Sequence, residues 1–446
     1  MANPDLEMKY IDLFAGIGGF AAALNAMGGI GAYAVEKDKN AARVYELNWG
    51  HNPLGDITQD ANELVVNVPP HDILAAGFPC QPFSKSGAQM GMRDKTRGTL
   101  FHNIMNIVEH RKPTIVMLEN VRNLAGPSHS DDWDVIVQRL IEAGYRVNGD
   151  RGASIFSPHK LRPELGGRPQ NRERVFIMAI YDPVNATRET SFRLSENDSF
   201  NFNPLEWDLE RDLLSNDADN DPALALSSNE LHVIEAWDAW IKILRSNGEP
   251  LPGFPVWSDA WVREPNIPQD TPAWKRNFLL KNSDLYIRHK KQFDEWREAW
   301  HLSSDIFTAS TRKLEWQAQD TESIWDCVLH LRPSGVRAKK PNYLPALVAI
   351  TQTPILAFRK RRLSVDEARK LQGLPDSFTF EGQSSAQSYK QLGNGVNVGV
   401  VWNVLKIYVQ NERETLQKSE AGKRILNCVE GAPSSPDLIK VALRKN

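Results

Sequence analysis

The chain has 446 residues, 41% hydrophobic and 24% charged, with a formal net charge of -3; this is the composition of a globular protein with room for two or three domains of roughly 150 residues. No apolar run approaches the roughly 20 residues needed to span a bilayer, and the polar stretch Met1 to Lys9 has no secretory core, so the expectation is a soluble cytoplasmic protein with no membrane partner. Three widely spaced cysteines, Cys80, Cys327 and Cys428, form no zinc pattern and suit a reducing compartment.

In chain order, residues 8–15 (MKYIDLFA) read as a strand, 18–29 as a helix, and 31–36 (GAYAVE) as a second strand followed by a helix from about Asp38. Residues 71–77 (HDILAAG) form a third strand, 98–110 a helix, 114–120 (TIVMLEN) a strand, 131–144 a helix and 174–181 (RVFIMAIY) a strand. Such alternation predicts a parallel sheet covered on both faces, with ligands at the carboxyl ends of its strands. The rhythm stops near Asp182. Ten of the thirteen Trp fall between Trp207 and Trp325, where helices are predicted around 230–244 and 284–300 between Pro-rich loops, and these Trp are expected to pack a second core. Charge is uneven: residues 185–230 carry three Arg against eleven Asp/Glu, and residues 331–370 carry ten Lys/Arg against two Asp/Glu. The near-neutral total can therefore hide a basic face for nucleic acid. Residues from about 412 to the end are polar and are expected to form a loosely held tail.

DLFAGIGGF, residues 12–20, joins the first strand to its helix, and Gly16, Gly18 and Gly19 let the backbone turn sharply beside a ligand. Glu36 ends the next strand, about 20 residues on, where a carboxylate suits a ribose diol. Asp56 is placed to accept from an adenine amino group, and Phe14 to lie against the ring.

GFPCQPFS, residues 77–84, follows the third strand and presents Cys80 at a turn. A lone cysteine is more often buried and inert, but Glu119 ends the neighbouring strand, and Arg172 and Arg174 in QNRERVF stand two apart at a strand start. A thiol, a carboxylate and paired guanidiniums at one sheet edge suit one demanding reaction. Cytosine C5 is a poor nucleophile; addition of a thiolate at C6 makes it an enamine able to attack a methyl sulfonium. A carboxylic acid donating to N3 and a guanidinium at O2 would offset the charge on the ring. Glu119 must then be protonated in the active complex, through a pKa raised by burial, and the base must leave the duplex to be reached.

DLFAGIGGF, GFPCQPFS, ENV, QNRERVF and GNGVNV stand in the order found in DNA cytosine-5 methyltransferases. The chain resembles that family, in its prokaryotic restriction-modification form, closely over residues 8–182 and well over 331–405. The resemblance implies an α/β fold, with a Rossmann-like S-adenosylmethionine-dependent methyltransferase domain and a smaller variable target-recognition domain. It implies residues 1–184 as the catalytic domain, 185–330 as target recognition, 331–387 as a basic bridge, and 388–446 as a returning helix plus tail. By resemblance Cys80 matches the nucleophile, Glu119 the N3 partner, and Arg172 and Arg174 the active-site arginines. Phe14, Gly16, Gly18, Glu36, Asp56, Ile57, Pro79, Asn394 and Val396 match contacts to S-adenosylmethionine, and no metal is implied. Residues 84–100, with Gly87, Gly91 and Gly98, look like the family's loop that closes over flipped DNA, and Gly395 stands where relatives often carry Ser or Ala. The implied partners are double-stranded DNA and a separately encoded restriction endonuclease, with the enzyme acting as a monomer. The rivals are an RNA cytosine-5 methyltransferase of the same fold, disfavoured by the long variable segment, and a non-catalytic DNA-binding relative, which would lack one of these residues. A zinc deaminase would need a second cysteine that PCQPF lacks.

Overall fold

The structure is a computed structural model, and it describes residues 7–79, 99–152, 154–189, 192–348 and 353–439. The chain divides into two compact units. The first is built on the strands β1 (Lys9–Leu13), β2 (Ile30–Val35), β3 (Ile73–Gly77), β4 (Ile115–Val121), β5 (Tyr145–Asn148), β6 (Arg174–Tyr181) and β7 (Arg188–Glu189), in the spatial order β2-β1-β3-β4-β6-β5-β7. The central strands β3, β4 and β6 bury Ile73 to Ala76, Ile115 to Leu118 and Val175 to Ile180 almost completely. That burial explains their unbroken apolar spelling: helices cover both faces of the sheet. These helices are α1 (Gly19–Ala26), α2 (Lys39–Trp49), α3 (Leu100–Arg111) and α4 (Ser130–Glu142).

The all-parallel expectation fails at one strand. β1, β2, β3 and β4 pair in parallel, but β6 runs antiparallel to both β4 and β5. The cause lies in the connections. α4 carries the chain back so that β5 runs the same way as β4, whereas β5 reaches β6 through turns and short 3-10 segments. Without a crossover helix the strand must enter antiparallel. A functional consequence follows, because Arg174, the first residue of β6, pairs with Val121 at the end of β4. A parallel β6 would have put its start at the opposite edge of the sheet.

The unit boundaries also differ from the expected ones. The first unit comprises residues 1–207, 345–349 and 368–446, and the second comprises 208–344 and 350–367. Residues 192–207 stay with the first unit because Phe200 packs edge-on against Phe156 at 4.8 Å and Trp207 Nε1 donates to the His159 carbonyl at 2.8 Å. The stretch expected to bridge from 331 instead completes the second unit's six-stranded sheet. Those strands are β8 (Val256–Trp257), β9 (Lys313–Gln317), β10 (Val328–Arg332), β11 (Gly335–Lys339), β12 (Ile355–Leu356) and β13 (Arg361–Arg362), in the order β8-β9-β11-β10-β12-β13.

As expected, the second core is aromatic: Trp237, Trp240, Trp261, Trp296 and Trp316 are buried in it, with Trp240 and Trp261 stacked at 5.9 Å. Its 19-residue helix α5 (Ser228–Ser246) begins at a capping box in which Ser227 and Glu230 satisfy each other's backbone N–H. The helix expected over 284–300 is two helices, α6 (Ala273–Arg288) and α7 (Lys290–Ala299). The break is at His289, whose backbone leaves the helical region and whose ring meets Glu249 at 3.1 Å.

The returning helix is α9 (Val398–Asn411), preceded by α8 (Ser385–Asn394). The expected loose tail is packed in its described part: α10 (Glu420–Gly431) buries Ile425, Leu426 and Val429, and Arg424 pairs with Asp72 at 2.7 Å. Read with a helical period, RILNCVE has an apolar stripe that its polar average conceals.

Candidate active site

A cavity of about 690 Å³ opens at the carboxyl ends of β1 to β4. At one end stands the glycine-rich turn. The Gly16 N–H donates to Glu36 Oε2 at 2.8 Å, and the Asp38 N–H donates to Glu36 Oε1 at 2.7 Å. Glu36 thus ties the end of β2 to the turn after β1 while facing the cavity. Gly16 is left-handed at φ 55°, and a Cβ added to it meets nothing within 4 Å, so its backbone stands open to a ligand. Asp56 caps the single helical turn Ile57–Asp60 and accepts from Lys37 Nζ at 2.8 Å. That bond, with two more from Thr58, pulls its carboxyl down to about 2.

Seven of the nine cofactor candidates line this cavity: Phe14, Gly16, Glu36, Asp56, Ile57, Pro79 and Asn394. The other two lie behind it. Gly18, at φ 86°, leaves no space for a Cβ because the Trp49 indole fills it, and Trp49 Nε1 donates to the Ile17 carbonyl at 3.0 Å. Val396 lies over the start of α1, its Cγ1 within 2.7 Å of where a Cβ on Gly19 would stand. Both shape the turn from outside. Lys37, Asp38, Leu100 and Lys390 also line the cavity; sequence reading did not single them out, since nothing local distinguishes them from surface residues.

At the other end of the same cavity are Glu119 and Arg174. Arg174 Nε lies 3.0 Å from Glu119 Oε1. Burial pushes the Glu119 carboxyl up, against the pull of Arg174 and Arg172. Burial also lowers Arg174, which Glu119 partly offsets. Arg172, two residues earlier, does something else. Its guanidinium is buried and donates to the carbonyls of Leu347 at 3.1 Å, Gly393 at 2.9 Å and Gly395 at 2.6 Å. Burial and Arg174 push it down to about 9, still charged at neutral pH. It fastens the GNGVNV turn that carries Asn394, while Arg174 meets the Glu119 carboxylate.

Asn120, beside Glu119, is a residue the sequence reading passed over. Its buried Nδ2 donates to the Phe78 carbonyl at 2.8 Å, holding the turn that leads through Pro79 to position 80. Cys80 itself and most of the predicted mobile loop, with Gly87, Gly91 and Gly98, lie outside the described residues. Of the other cysteines, Cys327 is buried in the second unit with its thiol pushed up to about 12 by burial, and Cys428 sits on α10 near the Gly28 carbonyl. Neither borders the cavity.

The family model for C-5 cytosine-specific DNA methylase matches residues 8–409. The chain is 43% identical to Type II methyltransferase M.AluI of Cellulosimicrobium cellulans, over 96% of this chain and 97% of that one. It is 43% identical to Type II methyltransferase M.HhaI of Haemophilus parahaemolyticus over 40% of this chain and 50% of that one. Among solved structures, the Dnmt2 methyltransferase of S. pombe aligns over 91% of this chain and 99% of its own, at 15% identity and a TM-score of 0.46.

Proposed function

The chain belongs to the family of C-5 cytosine-specific DNA methylases, and from that premise we propose that it methylates C5 of one cytosine, flipped out of a specific double-stranded DNA sequence, through a covalent bond between the Cys80 sulfur and C6. The observation that carries this reading is that the glycine turn with Glu36 and the Glu119–Arg174 pair line a single cavity. The first end fits S-adenosylmethionine: an open backbone at Gly16, a carboxylate at Glu36 able to accept from ribose hydroxyls, and the Phe14 ring beside them. When bound there, the cofactor supplies an electrophilic methyl sulfonium.

The chain's own residues do the rest. The Cys80 thiolate adds to C6, and the electron pair of the C5–C6 double bond is drawn toward N3 and O2. Glu119, whose carboxyl burial pushes up, donates its proton at N3, and Arg174 supports O2. Arg172 and Asn120 act as positioning residues for the two turns that frame the cavity. After C5 has taken the methyl group, a water molecule acting as base takes the C5 proton, the C5–H electron pair restores the C5–C6 double bond as the C6–S bond breaks, Cys80 leaves as thiolate, and N3 returns its proton to the Glu119 carboxylate. The relatives' type II designation supports a modification role that protects DNA from a separately encoded nuclease, and our reading has the enzyme act as a monomer.

The test is a duplex carrying 5-fluorocytosine at the methylated position, since fluorine cannot leave C5 as a cation. A denaturing gel should show a protein–DNA adduct that requires the cofactor and disappears in Cys80→Ser, while that variant still binds S-adenosylmethionine. No adduct at a confirmed target, or methyl transfer to transfer RNA in preference to duplex DNA, would overturn the reading.

A further inference from the structure

The two opposite charge runs of the sequence meet within the second unit, and they do not cancel evenly. Arg359 pairs with Glu210 at 2.9 Å and Asp219 at 2.7 Å, Arg361 with Asp219 at 2.7 Å and Glu367 at 2.8 Å, and Arg362 with Glu230. The acidic run thus neutralises one end of the basic run. At the other end, on and just after β10 and β11, Arg332 and Arg337 share Glu315 of β9 and Lys340 takes Asp320 at 2.5 Å, and the acidic run adds no ion pair there among the described residues.

The register of these three strands sorts their side chains. Leu314, Trp316, Leu329, Leu331, Val336 and Ala338 turn to the aromatic core. The alternate positions, with His330 opposite Arg337 and Arg337 beside Glu315, form the other face. That face gathers Lys313, Arg332, Arg337 and Lys339 around the lone carboxylate of Glu315, which Arg332 and Arg337 share, Arg337 at 3.1 Å. The register sets Arg337 opposite Glu315 and His330 and sets Lys339 opposite Gln317 and Val328, so the cations are neighbours on one face without facing each other directly, and they are half-buried, with the Arg332 and Arg337 side chains 21% and 29% exposed. Arg332 Nε, Arg337 Nε and His330 Nδ1 are buried with no hydrogen-bond partner among the described residues. Burial and the surrounding cations push His330 down to about 4, so it adds no charge at neutral pH. A sheet face that crowds cations and leaves their donors unmet breaks the rules of a stable surface, and such breaks mark function.

We propose that this face, centred on Arg337 and Lys339, binds the phosphate backbone of the duplex and so fixes the enzyme's position on DNA without reading its sequence. The proposal rests on duplex DNA being the substrate. A polyanion supplies what the face lacks, negative charge for cations that outnumber the carboxylate Arg332 and Arg337 share, and the partly exposed side chains of Arg332, Arg337 and Lys339 are the groups that would meet it.

The experiment is duplex binding and methylation by the full-length protein and by Arg337→Gln, Lys339→Gln and the double variant, over a salt series. Each lost phosphate contact should flatten the dependence of log affinity on log salt by about 0.9. The KM for DNA should rise while kcat at saturating DNA and the methylated motif stay unchanged, and Lys339→Arg should keep the wild-type slope. Unchanged thermal unfolding separates these effects from misfolding; if the Gln variants unfold early, Lys339→Arg and Lys339→Met at matched stability carry the comparison. Wild-type slopes and KM in the double variant would overturn the proposal, as would an altered motif at unchanged slope, which would make these residues base readers. If the wild-type protein itself methylated no duplex, the substrate assignment would fail instead.

Discussion

Glu119 is pulled two ways: burial favours its neutral form and the two arginines favour its charged form, with burial ahead. The chemistry proposed above uses the neutral form. Its population falls as pH rises through the raised pKa, so the single-turnover rate should decline on the alkaline side. In Glu119→Gln the amide still donates to N3 but cannot transfer a proton. We expect a rate loss of about 10²–10⁴ and disappearance of that alkaline limb; rapid-quench rates across pH would check it, and an unchanged limb would assign it elsewhere. Glu36 makes a different kind of contribution, since it holds Gly16 and Asp38 as well as facing the ligand. Glu36→Ala should weaken S-adenosylmethionine by roughly ten- to a hundredfold, about 1.5–3 kcal/mol, with DNA affinity little changed; titration calorimetry reads both. Residues whose function is a charge at a strand end were legible from sequence for this reason: spacing alone brings Glu36 and Glu119 to one edge. Gly18, Val396 and Arg172 were legible as important but not in their task, because Trp49, Gly19 and the 393–395 carbonyls that they meet are distant in the chain.

Among the elements, the last turn of the second unit's sheet is secured by a buried ion pair. Arg361 and Glu367 are 3% and 0% exposed, and the carboxylate also accepts from the Ser364 N–H at 2.8 Å and the Ser215 N–H at 3.0 Å. Burial pushes Glu367 up, but these bonds outweigh it and its carboxyl ends below the usual range. Its contribution is therefore present above the ordinary carboxylate pKa and is lost as pH falls through the depressed value. Arg361→Met leaves the carboxylate buried and unpaired, which should cost about 3–5 kcal/mol. Nine of the thirteen Trp lie in this unit, so urea unfolding followed by Trp fluorescence should report the loss directly, and a change under 1 kcal/mol would mean the pair is dispensable. Three strands of this unit, β8, β12 and β13, escaped sequence reading because they are two residues long, too short for any period to register.

At the scale of the whole molecule, the second unit is discontinuous in sequence, and this bears on any transfer of specificity. Base edges are read by side chains that differ between enzymes, so exchanging this unit for a relative's should change the methylated motif and keep C5 as the target. The exchange must carry 208–344 and 350–367 together. An exchange of 185–330 alone would separate β9 from β11 and remove Trp207 from the first unit. We expect the first chimera to fold and methylate a new motif by bisulfite sequencing, and the second to be recovered unfolded. Retention of the original motif by the first chimera would place readout in the first unit.

The sequence by itself determined the family, and it singled out the residues proposed to hold the cofactor and to react, because these rest on short motifs at strand ends, where local geometry and the order of elements suffice. Tertiary structure decided how those groups divide their work. The reversal of β6 brings Arg174 to Glu119, while the buried guanidinium of Arg172 goes to three carbonyls far along the chain. It also decided which end of the basic run the acidic run neutralises, through ion pairs between residues more than a hundred positions apart. Contacts of that range leave no periodic trace in sequence, since each side chain is chosen by a neighbour that only the folded chain supplies.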